Sequence, residues 1–212
     1  MKKICILLSF CLTLSCAKQV KLDMKILSYT GTVTVNTKAV KEINMALNRG
    51  DAVETMADSS CDIIINDKNI LRLTPNTKLV LKISDRESIL QLEKGWLAGV
   101  TRKVFSKEGK YIIETPTVTA AVRGTSFCIK VENEKSTYFC TCNGSIELTG
   151  KSSSKAETVT AAHHAARKFS IDKSGALIED NNPGLLYHTD SGVEEMAKKI
   201  GETIDWNKPD TH

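Results

Sequence analysis

The stretch that most limits what this chain can fold into is Glu114 to Phe127, ETPTVTAAVRGTSF. Pro116 biases Thr115 towards extended backbone, and the β-branched and small residues after it, Thr117 to Val122, favour a pleated surface over a helix. The segment predicts a strand packed closely on both sides. Gly124 then interrupts the strand pattern, as at a bulge or a close backbone approach that would aim Arg123 and Thr125; an ordinary turn accounts for it nearly as well.

The rest of the first 150 residues has the same character. Lys25–Val35 alternates imperfectly through Ile26, Tyr29, Val33 and Val35, and short apolar runs follow at Cys61–Ile65, Ile70–Leu73, Leu79–Ile83 and Ile89–Leu92. Turn residues separate them at Asn66–Asn69, Pro75–Asn76, Ser84–Glu87 and Ser106–Lys110. Short strands about 8 to 12 residues apart point to an all-β roll or barrel rather than alternating strands and helices. Gly31, Gly95 and Gly144 each lie at or near the start of a strand with Val33, Leu97 and Ile146 two positions on, which suggests structurally similar turns at uneven spacing. With 41% hydrophobic but only 5% aromatic residues, the core is expected to be mainly Val, Ile, Leu and Ala.

Thr115, Pro116, Arg123, Gly124, Thr125 and Phe127 together form a pattern that resembles the FecR domain. Supporting matches are Gly31-Thr-Val33, Leu47-Asn-Arg-Gly-Asp51 with Thr55, Leu92-Glu-Lys-Gly-Trp-Leu97 and Asn143-Gly-Ser-Ile146. The resemblance covers roughly residues 25 to 150 and implies an exported, all-β, FecR-like β-roll or β-solenoid-like interaction domain without an active site. Its namesake relays iron-uptake status to a cytoplasmic sigma factor. Here the first residues read as an export signal, where that relay would need a cytoplasmic segment and a spanning helix, so binding or scaffolding a partner in the envelope is the expected role.

Lys2 and Lys3 precede an apolar run from Ile4 to Leu14 that is too short to cross a bilayer, which takes about 20 residues, and suits a signal peptide. Leu12-Thr-Leu-Ser-Cys16 resembles a relaxed lipobox, with Thr13 where an apolar residue is usual. Residues 1–15 are therefore expected to be removed, Cys16 to be lipidated, and 16–24 to tether the domain to a bacterial envelope membrane, with the outer membrane facing the periplasm as the expected location. Several acyl chains anchor stably because each buried methylene contributes about 0.8 kcal/mol. Without Lys2 and Lys3 the net charge of +4 falls to +2, with 27 basic against 25 acidic residues, which gives no argument for nucleic acid.

Residues 151–212 form a C-terminal extension. Lys151–Lys155 reads as an exposed loop, and Ala161–Arg167 fits a helical turn or a final strand. Asp190 or Ser191 is expected to cap a short amphipathic helix that packs through Val193, Met196 and Ile200, is interrupted at Gly201 and is stapled by Trp206. Arg49-Gly50-Asp51 admits a surface adhesin that binds host proteins, although turn chemistry explains it better. Asn143-Gly-Ser145 fits a glycosylation acceptor or, more simply, a turn.

The cysteines hold the one constellation with chemistry in it. After loss of the signal and lipidation of Cys16, Cys61, Cys128, Cys140 and Cys142 remain, an even number in a compartment that permits disulfides. Thr125–Glu132 and Ser136–Cys142 read as hairpin arms around Asn133-Glu-Lys135, which sets Ile129 opposite Phe139, Val131 opposite Thr137 and Cys128 opposite Cys140, with Cys142 on the same face. Three outcomes stay open. One is a Cys128–Cys140 disulfide. Another is a zinc or iron site in which Cys128, Cys140 and Cys142 are joined by His163 or His164 and serve a sensor or carrier. The third is inert packing. His188 and His212 show no partners in the sequence. No nucleophile elbow, phosphate-binding glycine loop or paired-histidine helix motif is present, so no enzymatic activity is expected.

Overall fold

The computed structural model describes residues 23–83, 88–102, 111–151, 153 and 155–210. The export signal, Cys16, most of the tether, the polar turns at 84–87 and 106–110, Ser152, Ser154 and His212 lie outside the described residues. The strands run in the order β1 Met24–Thr30, β2 Val33–Val35, β3 Lys38–Ala39, β4 Ala52–Thr55, β5 Ser60–Ile65, β6 Asn69–Leu73, β7 Lys78–Ile83 and β8 Ser88–Thr101. They continue as β9 Tyr111–Glu114, β10 Val118–Val122, β11 Ser126–Asn133, β12 Ser136–Gly150, β13 Ala156–Ala161, β14 Ala165–Ile171 and β15 Leu177–Asp180, and the helix α1 spans Asp190–Lys199.

These strands form two layers. The first has the order β1-β5-β6-β8-β11-β12-β14-β15, antiparallel throughout. The second runs β3-β2-β4-β7-β8-β9-β10-β12-β13, and its β8–β9 pair is the one parallel contact among the described strands. β8 and β12 belong to both layers, so one hydrogen-bonded sheet is folded over on itself. This is an antiparallel roll, since a solenoid would stack parallel coils.

Glycines make four of the corners. Gly31 lies between β1 and β2, Gly95 within β8, Gly124 between β10 and β11 and Gly144 within β12, and all four have φ between 56° and 115° where the chain passes from one layer to the other. At three corners a hydroxyl from a neighbouring segment binds the residue after the glycine. Ser59 Oγ accepts from Thr32 N at 2.9 Å, Thr77 Oγ1 accepts from Trp96 N at 2.9 Å, and Thr125 Oγ1 donates to Ser145 O at 2.9 Å. The similar turns suggested by Gly31, Gly95 and Gly144 are therefore one corner design used three times.

The main core fills the space between the layers, with Ile26, Ile63, Leu73, Leu97, Phe127 and Ile146 all buried. The hairpin β11–β12 has the expected register, with Cys128 opposite Cys140, Ile129 opposite Phe139 and Val131 opposite Thr137. Alternation then sends Phe127 and Ile129 into that core and Cys128, Tyr138, Cys140 and Cys142 to the opposite face of the first layer. A second apolar cluster forms there beneath α1, whose Val193, Met196, Ala197 and Ile200 meet Ile70 and Val100. Burying one side chain of this size contributes about 1.5–3 kcal/mol, so docking of the helix rests on these contacts.

Several sequence expectations need correction. β10 is not packed closely on both sides: Val118, Ala120 and Val122 are buried, whereas Thr119 and Ala121 are only half-buried, and 115–117 form the turn before it. Ala161–Arg167 is neither a helical turn nor a single last strand, because β13 and β14 flank a turn at 162–164 and both pair with β12. The chain therefore keeps its β character well past residue 150. The cap of α1 is Thr189, whose side chain accepts from Gly192 N, and the helix closes at Ile200 before Gly201 at φ 71°. Thr189→Ala should cost about 1 kcal/mol, a fall in Tm of about 2–4 °C by calorimetry; an unchanged Tm would remove the cap from the account.

Candidate functional site

Behind α1, three separate pieces of chain bring together four soft donors. β12 presents Cys140 and Cys142, two positions apart on its outer face and both fully buried. The β13–β14 turn presents His164, whose backbone sits in the left-handed region at φ 56° and whose N–H donates to Cys142 O at 2.9 Å. Histidine tolerates this conformation better than most residues, and such strain tends to collect at functional sites. The third piece is the strap 181–189 before α1, which presents His188. Tyr138 fixes the strap, accepting from Leu186 N and donating to Gly184 O, both at 3.2 Å.

Cys140 Sγ lies 3.6 Å from His164 Nδ1, Cys142 Sγ lies 3.2 Å from His188 Nε2, and the two nitrogens are 3.3 Å apart. One donor atom from each of the four residues lies within 4.8 Å of every other. The far side of each imidazole is held as well. His164 Nε2 meets Asp190 Oδ1 at 2.6 Å, and His188 Nδ1 donates to Leu186 O at 2.9 Å. Trp206 packs at a tilt against the rings of His163 and His164, with centroids 4.9 and 5.2 Å away, and its Nε1 donates to Glu194 at 2.9 Å.

This crowding redistributes the protons. A hydrogen bond with Cys142, opposed by burial and assisted by His164 and His188, brings the Cys140 thiol down to about 4. Burial, then the same hydrogen bond, pushes Cys142 well above the usual thiol range. Burial works against charge on His164, but its bonds to Cys140 and Asp190 prevail and raise it. His164, followed by His163, holds Asp190 below the usual carboxylate range. The arrangement is a compact two-sulfur, two-nitrogen donor set with one acidic side chain behind it.

The set differs from the sequence expectation at three residues. Cys128 is excluded: it faces Cys140 across the hairpin, but its sulfur accepts from Trp96 Nε1, and burial raises its thiol. His163 is excluded too, because its Nε2 meets Asp190 Oδ2 at 2.9 Å rather than a sulfur. His188, which the sequence left without a partner, is included. Cys61, Cys128, Cys140 and Cys142 are all free thiols, so the Cys128–Cys140 bridge is not formed. His188 lies 46 residues from Cys142 on a segment without regular structure, and no spacing rule would have selected it.

The remaining motif residues are structural. Thr115 Oγ1 donates to Val118 O at 2.8 Å and closes the turn around Pro116. Gly124 and Thr125 belong to corners, Phe127 stacks on Phe139, and Arg123 is exposed. Asp51 is buried, with its carboxylate accepting from Asn36 Nδ2 and Asn48 N, both at 2.7 Å, so Arg49-Gly50-Asp51 is a turn. Asn143 is buried as well. Its amide nitrogen donates to Ala162 O, Asp205 O and Lys208 O, and its oxygen accepts from Asp210 N, which pins the C-terminal tail and leaves no free amide for glycosylation.

A two-layer antiparallel roll with glycine corners is an all-β fold. Residues 51–147 match the family model for FecR protein. Two crystal structures of a candidate anti-sigma factor from Parabacteroides distasonis share the fold, each with a TM-score of 0.50 and 13% identity. One alignment covers 61% of this chain and 59% of the other protein, and the second covers 70% and 73%. The chain thus spans about three fifths of the first of these structures, and at this identity the likeness is one of fold. No curated protein matches the sequence. No described helix is long and apolar enough to cross a membrane. Cys140 and Cys142 fall inside the FecR match, while His164 and His188 fall beyond it.

Proposed function

We propose that the chain is a non-enzymatic lipoprotein of the bacterial envelope, exported through residues 1–15, anchored through lipid on Cys16, and binding or scaffolding a protein partner with its FecR domain. The FecR match over residues 51–147 carries this reading, because the resemblance implies an exported interaction domain. The strap adds support. Leu185, Leu186 and Tyr187 are exposed on it, a run of apolar surface that a protein partner would cover. The outer membrane, with the domain facing the periplasm, is the expected location.

The test is metabolic labelling with palmitate together with fractionation and a photo-crosslinking residue at position 186. The wild-type chain is expected to take up label, sediment with membranes and give one discrete crosslinked protein. Cys16→Ser should abolish the label and release the chain to the soluble fraction. An unlabelled wild-type chain would refute the anchor, and crosslinks spread over many proteins would refute a specific partner at the strap.

A further inference from the structure

We propose that Cys140, Cys142, His164 and His188 form a closed zinc site that clips the C-terminal strap and α1 onto the FecR domain. Zinc–sulfur bonds of about 2.3 Å and zinc–nitrogen bonds of about 2.0–2.1 Å set the edges of a regular tetrahedron at about 3.3 Å between two nitrogens and about 3.6 Å between sulfur and nitrogen. The observed 3.3 Å between nitrogens and 3.6 Å between Cys140 and His164 match these edges, and the 3.2 Å between Cys142 and His188 is shorter than its edge.

The tautomers agree with this. His188 Nδ1–H is spent on Leu186 O, so its Nε2 lone pair faces the cluster. Asp190 holds His164 through Nε2, which turns Nδ1 towards the same point and leaves it as the atom available to a metal. Two imidazole nitrogens 3.3 Å apart need a proton or a metal cation between them. A carboxylate or carbonyl behind each metal-binding histidine is the usual second layer of such centres. Asp190 supplies one and the Leu186 carbonyl the other.

The donor set also selects the ion. Two thiolates and two imidazoles in tetrahedral array favour zinc over calcium, magnesium or manganese, which prefer oxygen. A cluster of two irons with bridging sulfides would hold the cysteine pair and the histidine pair farther apart than four mutually close donors allow. Four protein ligands leave no open position, so the ion is structural. It ties β12 to the β13–β14 turn and to the strap beside the exposed Leu185–Tyr187 run. This inference does not depend on the lipid anchor or on the identity of the partner.

Cobalt(II) titration of the full chain in detergent tests it. One cobalt per chain is expected, with the intense visible bands of a tetrahedral centre and a thiolate-to-cobalt charge-transfer band, and zinc should displace it. Cys142→Ser and His188→Asn should each abolish the tetrahedral spectrum. Asp190→Asn should keep the spectrum and weaken binding about tenfold to a hundredfold. Cys128→Ala and His163→Ala should keep one cobalt and the thiolate band, which separates this set from a wider cysteine–histidine patch. His188 lies outside the sheets, so its variant should keep the far-ultraviolet circular dichroism of the wild type. Metal should also slow hydrogen exchange across 184–190. No stoichiometric cobalt in a folded chain, a six-coordinate spectrum without thiolate charge transfer, or binding that survives both Cys142→Ser and His188→Asn would each overturn the assignment.

Discussion

Gly95→Ala is expected to destabilise the fold by about 4 kcal/mol, combining left-handed backbone strain with overpacking, each of about 1–3 kcal/mol. Gly95 has φ 89° at the point where β8 leaves one layer for the other. A Cβ there would stand 2.3 Å from Thr77 Oγ1, 2.4 Å from Thr77 Cα and 2.7 Å from Asn76 O. Two of these three atoms are backbone. Thr77 itself is buried and holds Trp96 N at 2.9 Å, so it cannot yield without opening the corner. Gly175 is the control, because its φ of 87° is nearly the same and nothing lies within 4 Å of its missing Cβ. Gly175→Ala should therefore show the strain alone, about 1–2 kcal/mol. Urea unfolding of both variants decides the matter, and equal losses would mean that the close approach to Thr77 contributes nothing.

The corner glycines also show what could be read from the sequence and what could not. Gly31, Gly95 and Gly144 stood out because each precedes an apolar residue by two positions. That local signal survives folding because left-handed backbone is a property of the residue itself. The β11–β12 register was legible for a similar reason: a short loop and a period of two leave one arrangement that buries Ile129 against Phe139. The union of two strand segments in β8 and in β12 was not legible. A bend between layers at Gly95 or Gly144 looks, along the chain, like a break between strands.

The donor set was half legible on the same grounds. Cys140 and Cys142 share a face because they are two apart on one strand, and His164 lies in a turn next to their partner strand. His188 reaches them only because Tyr138, Asp190 and the helix place the strap, and these are tertiary contacts without a sequence period. Cys128 was drawn into the expected set by cross-strand pairing, which fixes backbone neighbours but not where a side chain points once Trp96 offers it a donor.

Asp62→Asn is expected to remove about 3 kcal/mol of stability at neutral pH, the lower end of what breaking a buried ion pair costs, because Arg72 and Lys199 keep some access to water. Asp62 on β5 is buried directly opposite Arg72 on β6. It accepts from Arg72 Nε at 2.7 Å, Arg72 Nη2 at 2.9 Å and Lys199 Nζ at 2.7 Å, and Arg72 also reaches Glu195. Lys199 and Glu195 belong to α1, so this network fastens the far end of the helix whose near end adjoins Asp190. Burial alone would raise the Asp62 carboxyl, but hydrogen bonds from Arg72 and Lys199 outweigh it and hold the group below the usual carboxylate range. A depressed folded value means that the contribution is complete above the unfolded value near 3.9 and is lost as pH falls through the lower, folded one. Wild type and Asp62→Asn should therefore differ by a constant amount above about pH 5 and converge on acidification below about pH 4. Urea unfolding at both ends of that range measures the difference. A gap that widened towards acid would mean that Asp62 is not held ionised by Arg72 and Lys199, and the docking of α1 would then rest on its apolar face and the strap alone.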